Sequence, residues 1–242
     1  MKRKTHFQFK QFEVQHDRST MKVGTDAVLL GAWAHVANAT RILDIGTGSG
    51  IIALMAAQRT PSTTQIDAVE IEGQDAAQAA ENFLASPWSE RLHIHVAPIQ
   101  DYPPSPPFHP YLYDVILSNP PFFINSQEPP NKRRHEARHT VTLDHASLLA
   151  AADRLLQPQG TLNVVLPYTE GLQFIDLAKQ HGFFCTRQYS FRTREGKPIE
   201  RWLLEFSRKE RATETGEILL YKEKLEWSDS YVELTRDFYL KL

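Results

Sequence analysis

Four consecutive residues, Asn119-Pro120-Pro121-Phe122, carry groups that could hold a planar amine. Asn119 offers an amide carbonyl, Pro120 offers a backbone carbonyl on a residue without an N–H, and Phe122 offers a flat aromatic face. A planar ring that bears an NH2 group would match this set. Taken alone, the same residues are equally consistent with a strand that ends in a proline turn, followed by a core phenylalanine.

The residues before this motif predict the element that positions it. Tyr113 to Ser118 form an apolar run of strand-like composition. Two prolines must end strand pairing, because proline has no N–H and restricts the preceding residue to extended conformations. The predicted strand therefore presents Asn119 at an open edge of a sheet.

A second candidate site, Asp44-Ile45-Gly46-Thr47-Gly48-Ser49-Gly50, lies between a predicted strand from Arg41 and a predicted helix over residues 51–59. A glycine-rich turn at this place lets a ligand approach the backbone and the helix N-terminus. The glycines alternate instead of following the GxGxxG spacing, which argues against a nicotinamide-dependent oxidoreductase. The Asp44 carboxylate would repel a pyrophosphate but favour a cationic ammonium or sulfonium ligand.

The next predicted strand, Gln65 to Glu70, ends in an acidic residue. A carboxylate at the tip of the second strand of a doubly wound sheet can accept hydrogen bonds from both ribose hydroxyls. A single glutamate that ends a strand is usually a solvated surface residue. Its position after the glycine-rich turn favours the ribose interpretation for Glu70.

Length and composition limit the class of protein. With 242 residues, of which 41% are apolar, the chain can bury one good-sized core. We expect a single globular unit, in which an N-terminal strand or hairpin and a lid helix (residues 1–36) pack on residues 37–242. Cys185 is the single cysteine, which excludes an internal disulfide or a cysteine-cluster zinc site, and no metal is expected. The sequence has neither an apolar run of membrane-spanning length nor a signal-peptide core at its start, so we expect a cytoplasmic protein.

Alternating strand and helix patterns predict a doubly wound α/β fold with a mostly parallel sheet and helices on both faces. Residues 183–191 and 199–206 are expected to form antiparallel strands. Thr25 or Asp26 is predicted to cap a helix that runs through Trp33. A turn at Pro158-Gln159-Gly160 is predicted to end a later helix. The tail over residues 217–242 is amphipathic and aromatic, as expected for a segment that covers an apolar surface.

Two basic segments are candidates for phosphate binding, although the net charge of −2 does not indicate a general nucleic-acid affinity. The first is the polar segment from Asn125 to Thr140, and the second is the connector between the two antiparallel strands. Both are also consistent with ordinary solvated loops. The predicted RNA-binding residues are Lys132, Arg133, Arg134, Arg138, Arg192, Arg194 and Lys197.

Together these motifs resemble the class I S-adenosylmethionine-dependent methyltransferases that modify amino groups of planar substrates. Two further segments, residues 21–33 and 231–240, resemble the bacterial tRNA1(Val) (adenine-37-N6)-methyltransferases, and the similarity covers nearly the whole chain. The resemblance implies a seven-stranded Rossmann-like sheet with an antiparallel C-terminal hairpin. It also implies S-adenosyl-L-methionine as the cofactor and the anticodon loop of a tRNA as the partner, with no obligatory protein partner.

The same resemblance implies roles for individual residues. Asp44, Gly46 and Gly48 would line the methionine end of the cofactor, Glu70 would hold its ribose, and Thr25 and Asp26 would close over it. The remaining implied cofactor contacts are Gly50, Ile71, Ile99 and Asn119, and the implied catalytic residues are Asn119, Pro120, Pro121 and Phe122. Pro98 stands where many relatives have an aspartate that contacts the adenine amino group. The Ile99 N–H, Gln100 or Asp101 could replace that contact.

The sequence leaves the acceptor open. Guanine N2 in ribosomal RNA, adenine in DNA and a protein glutamine amide also present a planar NH2 group. A non-catalytic RNA-binding protein that keeps a methyltransferase fold is the alternative from a different functional class.

Overall fold

The computed structural model describes residues 5–103, 113–121, 143–223 and 226–241. An N-terminal hairpin precedes a large sheet flanked by helices. The strands are β1 (His6–Gln8), β2 (Glu13–Gln15), β3 (Arg41–Ile45), β4 (Gln65–Glu70), β5 (Leu92–Val96), β6 (Tyr113–Ser118), β7 (Leu156–Pro167), β8 (Phe184–Arg192), β9 (Arg201–Ser207) and β10 (Glu214–Leu219). The helices are α1 (Thr25–Trp33), α2 (Ile51–Gln58), α3 (Gly73–Leu84), α4 (His145–Leu155), α5 (Tyr168–Gln180) and α6 (Asp229–Thr235).

The large sheet has the strand order β10-β8-β9-β7-β6-β3-β4-β5. All neighbours from β7 to β5 are parallel, and β9 runs antiparallel to both β7 and β8. The doubly wound, mostly parallel fold and its antiparallel hairpin are therefore confirmed. The expected seven strands are present, and β10 extends the sheet by an eighth strand that pairs parallel with β8.

The central strands are apolar on both faces because each face is covered by helices. One buried cluster joins the N-terminal hairpin, α1 and α2 to one face of the sheet, and a second joins α4 and α5 to the other face. α1 packs closely on α2 at Gly31, where a Cβ atom would lie 2.7 Å from the Met55 sulfur. The Arg59 Nη1 atom donates hydrogen bonds of 2.8 Å to the carbonyls of Gly31 and Ala34 at the end of α1. The division of the chain at residue 36 stays a prediction.

Two local predictions are wrong. The N-cap of α1 is Gly24, with no side-chain cap, because the Asp26 carboxylate is directed to Arg201 instead of to the helix backbone. Pro158-Gln159-Gly160 form no separate turn but lie within β7, where the pairing with β6 passes from Leu156 directly to Thr161. Within the described ranges, we find no helix that combines the length and the apolar character needed to cross a membrane.

Candidate active site

Three neighbouring strands end side by side and bring the sequence motifs together. In the parallel register, Ile45 of β3 lies opposite Ser118 of β6 and Val69 of β4. Asn119, Gly46 and Glu70 are the next residues along these strands, so their backbones lie at one sheet edge, roughly 5 Å from strand to strand. The Ser118 hydroxyl donates a hydrogen bond of 2.9 Å to the Ile45 carbonyl and ties β6 to β3 at this edge. The two motifs found in the sequence therefore form one site.

The glycine-rich loop turns sharply between β3 and α2. Gly46, Gly48 and Gly50 all have positive φ angles, of 70°, 55° and 84°, which side-chain-bearing residues adopt only with strain. The backbone N–H groups of Gly46 and Thr47 both donate to the Val69 carbonyl, so the loop is fixed to the end of β4. Around Gly48, no atom would lie within 4 Å of an added Cβ, so this part of the loop borders open space.

Gly50 has a packing role of its own. A Cβ atom here would lie 2.5 Å from a ring carbon of Phe83 and 3.3 Å from the Ala79 side chain, so the glycine lets α3 approach the start of α2. This contact explains the glycine without any ligand. The assignment of Gly50 to the cofactor stays a prediction.

Asp44 is fully buried beneath the glycine-rich loop. Its Oδ2 atom accepts a hydrogen bond of 2.5 Å from the Thr47 hydroxyl, while its buried Oδ1 atom accepts none from the described residues. Burial raises the pKa of the carboxyl to about 7, against the opposing effects of the Thr47 hydroxyl and the Ala53 N–H. A buried carboxyl that is costly to ionise is suited to a cationic donor, because a nearby positive charge stabilises the carboxylate.

The Glu70 carboxylate is held in place by the backbone around it. Its Oε2 atom accepts the Gly48 N–H at 2.9 Å, and its Oε1 atom accepts the Glu72 N–H at 3.0 Å. Burial raises the pKa of this carboxyl, and these hydrogen bonds oppose the shift. Since a carboxylate has about four acceptor positions, each oxygen keeps one for a ribose hydroxyl.

An open cleft lies over the ends of β3, β4 and β5. Its walls combine apolar side chains with the polar groups of Glu70 and Gln100; the other lining residues are Ile45, Gly46, Val69, Ile71, Ala97, Pro98, Ile99 and Leu143. Ile71 is 42% exposed, whereas Ile99 is buried in the cleft wall. Gln100 lines the cleft beside Pro98 and Asp101 does not, which favours Gln100 as the replacement for the missing aspartate contact.

Asn119 and Pro120 lie on the β6 side of the cleft. Asn119 is half-buried, and its Oδ1 atom accepts no hydrogen bond from the described residues. Pro120 is buried and Pro121 is exposed. Phe122 lies outside the described residues, as do the predicted RNA-binding residues Lys132, Arg133, Arg134 and Arg138.

The predicted lid residues lie at the first turn of α1. Thr25 is exposed, and Asp26 accepts a 2.8 Å hydrogen bond at Oδ2 from Nε of Arg201, the first residue of β9. This ion pair fixes the start of α1 to the strand next to β7. The role of Thr25 and Asp26 in closing over the cofactor stays a prediction.

The β8–β9 connector lies at the same sheet edge as Asn119. β9 runs antiparallel to both β7 and β8, and its first residue pairs with the end of β7, so the connector that leads into β9 lies at this edge. Arg192 is already engaged: Nε bonds Glu217 at 2.6 Å and Nη1 bonds the Lys197 carbonyl at 2.6 Å. Arg194 and Lys197 are exposed and form no ion pair with any described residue.

Three residues of the site escaped sequence reasoning. Thr47 was passed over as a loop residue, although its position three residues after Asp44 is a spacing at which a hydroxyl can bond the carboxylate. Leu143 lines the cleft from a distant part of the sequence, for which no local signal exists. Arg154 of α4 donates a 2.9 Å hydrogen bond to the Ile99 carbonyl and also bonds the Tyr102 carbonyl, which secures the cleft wall.

The site fits a cationic nucleoside ligand of the kind expected. Asp44 supplies a buried acceptor for an ammonium group, Glu70 supplies carboxylate oxygens for a ribose, and the apolar cleft between Ile71 and Ile99 matches a planar base. These observations agree with S-adenosylmethionine, whose adenosine and charged methionine ends need these three environments.

Comparisons with known proteins identify the family of the chain. Residues 18–184 match the family model described as the methyltransferase small domain. A tRNA1(Val) (adenine(37)-N6)-methyltransferase of Aeromonas hydrophila is 46% identical over 242 residues, which cover 100% of both chains. The enzyme of the same name from Yersinia pestis strain Pestoides F is 46% identical over 234 residues, or 97% of this chain and 93% of the relative.

Solved structures confirm the fold. A predicted O-methyltransferase from Agrobacterium tumefaciens superposes with a TM-score of 0.64 at 15% identity, covering 88% of this chain and 96% of that one. A ribosomal protein L11 methylase from Lactobacillus delbrueckii gives a TM-score of 0.55 at 15% identity, covering 81% and 84%. The fold, the donor set of the cleft and the full-length similarity lead to one conclusion: this chain belongs to the tRNA1(Val) (adenine(37)-N6)-methyltransferase family, built on the methyltransferase small domain.

Proposed function

We propose that this protein methylates the exocyclic N6 amino group of adenine 37 in tRNA1(Val), with S-adenosyl-L-methionine as the methyl donor, and that it approaches the base in the anticodon loop. The observation that carries the proposal is the alignment of Asn119, Gly46 and Glu70 at one sheet edge. This alignment supports a role for Asn119 as the acceptor for a planar amine beside the cofactor cleft. The names of the full-length relatives support the choice of tRNA and of adenine.

Asn119 and Pro120 act on the target amine. The Asn119 Oδ1 atom and the Pro120 carbonyl accept its two hydrogens, which turns the nitrogen lone pair out of conjugation with the ring and toward the methyl donor. Asn119 is suited to this role because its Oδ1 atom accepts no hydrogen bond from the described part of the chain. Proline is suited because it has no N–H that competes for the same space. Phe122, which the structure does not describe, is assigned to stacking on the target base.

No strong base is required, because the amine becomes acidic as its nitrogen gains a fourth bond. Its proton then passes to water beside the Asn119 carbonyl. When bound, S-adenosylmethionine supplies an electrophilic methyl group on a sulfonium. On the protein side, Asp44 and the loop at Gly46 and Gly48 hold the methionine end, Glu70 holds the ribose, and Ile71 and Ile99 enclose the adenine, with Thr25 and Asp26 at the lid.

The target adenine must leave its stack to reach Asn119. An anticodon-loop base is already partly unpaired, so turning it outward costs less than in a duplex. Phosphates of the loop would meet Arg194 and Lys197, whose side chains are exposed and form no ion pair with described residues. Arg192 contributes less, because Glu217 already neutralises it. Lys132, Arg133, Arg134 and Arg138 complete the proposed RNA contacts on the sequence argument alone.

The test is methyl transfer from radiolabelled S-adenosylmethionine to bulk tRNA from a strain that lacks the gene, followed by nuclease digestion and mass analysis of the nucleosides. We expect the label in N6-methyladenosine, and oligonucleotide mapping should place it at adenine 37 of tRNA1(Val). Ribosomal RNA and total protein from the same strain serve as alternative acceptors. Label recovered only as N2-methylguanosine or as methylglutamine would overturn the proposed acceptor.

A further inference from the structure

An exposed aromatic ring lies close to Asn119 and has no part in the proposed methyl transfer. Tyr168 is the first residue of α5 and follows directly on the end of β7, with 44% of its surface exposed. Its ring stacks on that of Trp202 in β9, with 5.9 Å between the ring centroids and 28° between the planes. Trp202 is only partly exposed, so it backs the Tyr168 ring, whose exposed part lies at the sheet edge.

The register of the strands puts the Tyr168 ring near Asn119, where the target base is proposed to bind. Ser118 lies opposite Val164 on the neighbouring strand β7. Asn119 is one residue beyond that level and Tyr168 is four residues beyond it. With about 3.3 Å per residue along a strand and about 4.8 Å between strands, the two Cα atoms are roughly 11 Å apart. When the target nucleotide is held at Asn119, the nucleotide next to it in the RNA chain can span this distance and contact Tyr168.

The aromatic pair is held rigidly before any ligand binds. No loop separates β7 from α5, and Pro167, with a φ of −54°, fixes the direction of the chain into Tyr168. Trp202 lies against α5 at Gly171, where a Cβ atom would be 2.6 Å from its Cδ1 atom. Glycine within a helix costs about 1 kcal/mol relative to alanine. Its presence here is explained by the close approach of the Trp202 ring.

The charges around the pair do not make a phosphate site. Arg201, beside Trp202, bonds the Asp26 carboxylate at 2.8 Å. Burial raises the pKa of the Glu170 carboxyl in the first turn of α5, and the Arg201 guanidinium is close enough to lower it by a smaller amount. Arg201 therefore has two carboxyl groups near it and is not available for a phosphate, whereas an aromatic face accepts any nucleobase by stacking.

We propose that the Tyr168 ring, supported by Trp202, stacks on the base of the nucleotide next to the target adenine and so steadies the anticodon loop while the target base is turned out. This inference rests on the proposed function and adds a second base-binding position to it. The contact is apolar, so it differs from the phosphate contacts in its response to salt.

The experiment measures binding and methylation of an anticodon stem-loop of tRNA1(Val) by wild type, Tyr168→Ala and Tyr168→Phe. Two further stem-loops each carry an abasic site, on the 5′ or the 3′ side of the target adenine. Leu84→Ala, at an exposed apolar residue at the end of α3, is the control. Affinity for S-adenosylmethionine is measured for each variant.

We expect Tyr168→Ala to weaken binding of the intact stem-loop about tenfold, with no change in the dependence on salt concentration. Tyr168→Phe and Leu84→Ala should bind like wild type, and cofactor affinity should stay constant. One of the two abasic RNAs should bind wild type and Tyr168→Ala with equal affinity. That RNA lacks the base that stacks on Tyr168, so removing the ring has no further effect on binding. The position of its abasic site therefore identifies the stacked base.

Two results would overturn the inference alone: wild-type affinity in Tyr168→Ala, or an equal loss on the intact and both abasic RNAs. Failure of the proposed function is recognised separately. In that case the wild-type protein itself neither binds nor methylates the intact stem-loop, whatever residue stands at position 168.

Discussion

The two halves of the active-site edge offer different kinds of surface to a ligand. Over β3, β4 and β5, in the cofactor half, an open cleft is lined mainly by apolar side chains, with the Glu70 carboxylate held at its edge by the Gly48 N–H. Over β7, β9 and β8, in the half proposed to meet RNA (the RNA half), the edge carries the exposed Tyr168 ring stacked on Trp202, and exposed cationic side chains such as Arg194 and Lys197. A small cofactor can be enclosed by a few consecutive residues, whereas an RNA loop has to meet residues from several strands. Asn119, directly after β6, lies between the two halves.

Asn119→Ala tests whether the residue between the two halves acts in methyl transfer and not in cofactor binding, and it has the largest expected effect. The variant loses the acceptor that orients the amine, so we expect turnover to fall roughly 100- to 1,000-fold, the range for removal of one group that acts in the transition state. Affinity for S-adenosylmethionine, measured by calorimetry, should stay close to wild type, because Glu70 and Asp44 lie on other strands. Normal turnover in this variant would remove Asn119 from the chemistry.

On the cofactor half, Glu70→Ala should lower affinity for S-adenosylmethionine by about 100-fold, because the variant can no longer accept two hydrogen bonds at a charged group. Glu72→Ala is the matched control: it is also acidic, lies two residues away and is exposed. Equilibrium binding of the cofactor to both variants measures the difference. Equal losses in the two variants would show a general charge effect instead of a ribose contact.

Asp44 makes the cofactor half sensitive to pH. Its pKa of about 7 in the unliganded protein means that the carboxylate form grows from a small to a large fraction between pH 6 and pH 8. Since the carboxylate is the form that attracts a cationic ligand, affinity for S-adenosylmethionine should rise roughly tenfold over this interval. Asp44→Asn should bind weakly and with little pH dependence. A flat wild-type profile would contradict the assignment.

The same carboxyl has an opposite effect on the unliganded fold. Its pKa is higher in the folded chain than the ordinary 3.8, so the folded protein binds more protons than the unfolded one between roughly pH 4 and pH 7. The contribution of Asp44 to the free energy of unfolding therefore decreases as the pH rises through this range. Asp44→Asn should remove that decrease, which urea titrations at pH 5 and pH 8 would detect.

The smallest expected effect is on the RNA half. Arg194→Ala combined with Lys197→Ala should reduce the salt dependence of tRNA binding, by a slope of about 0.7 for each phosphate that the protein no longer neutralises. Arg192→Ala is the control, because Glu217 already neutralises that guanidinium. Filter binding over a range of salt concentrations gives the slopes. A larger change for Arg192 than for the pair would reverse the assignment.

The cofactor half was largely predictable from the sequence, because its motifs are contiguous. The Asp44 to Gly50 motif and Glu70 each lie at the end of a predicted strand, so the parallel topology brought them together without further information. The RNA half was much less predictable. The stack of Tyr168 on Trp202 joins residues from two elements that are far apart in sequence.

Errors in the fold prediction have a similar origin. The cap of α1 was assigned from local residue preference, but Arg201 competes for the Asp26 carboxylate from a distant strand. The strand β10 was not predicted, because its pairing with β8 depends on an edge that exists only after the hairpin has formed. Both the cap of α1 and the formation of β10 depend on residues far away in the sequence, and a local sequence pattern contains no information about such partners.

Gly171 limits how this enzyme can be stabilised by design. Replacing a helical glycine with alanine is a common way to gain stability, and a helix-propensity scale alone would recommend it here. At this position the new methyl group would enter the space of the Trp202 ring and displace the surface that Tyr168 rests on. Screens for thermostable variants that measure melting temperature alone would not detect the loss of the surface proposed to stack on RNA.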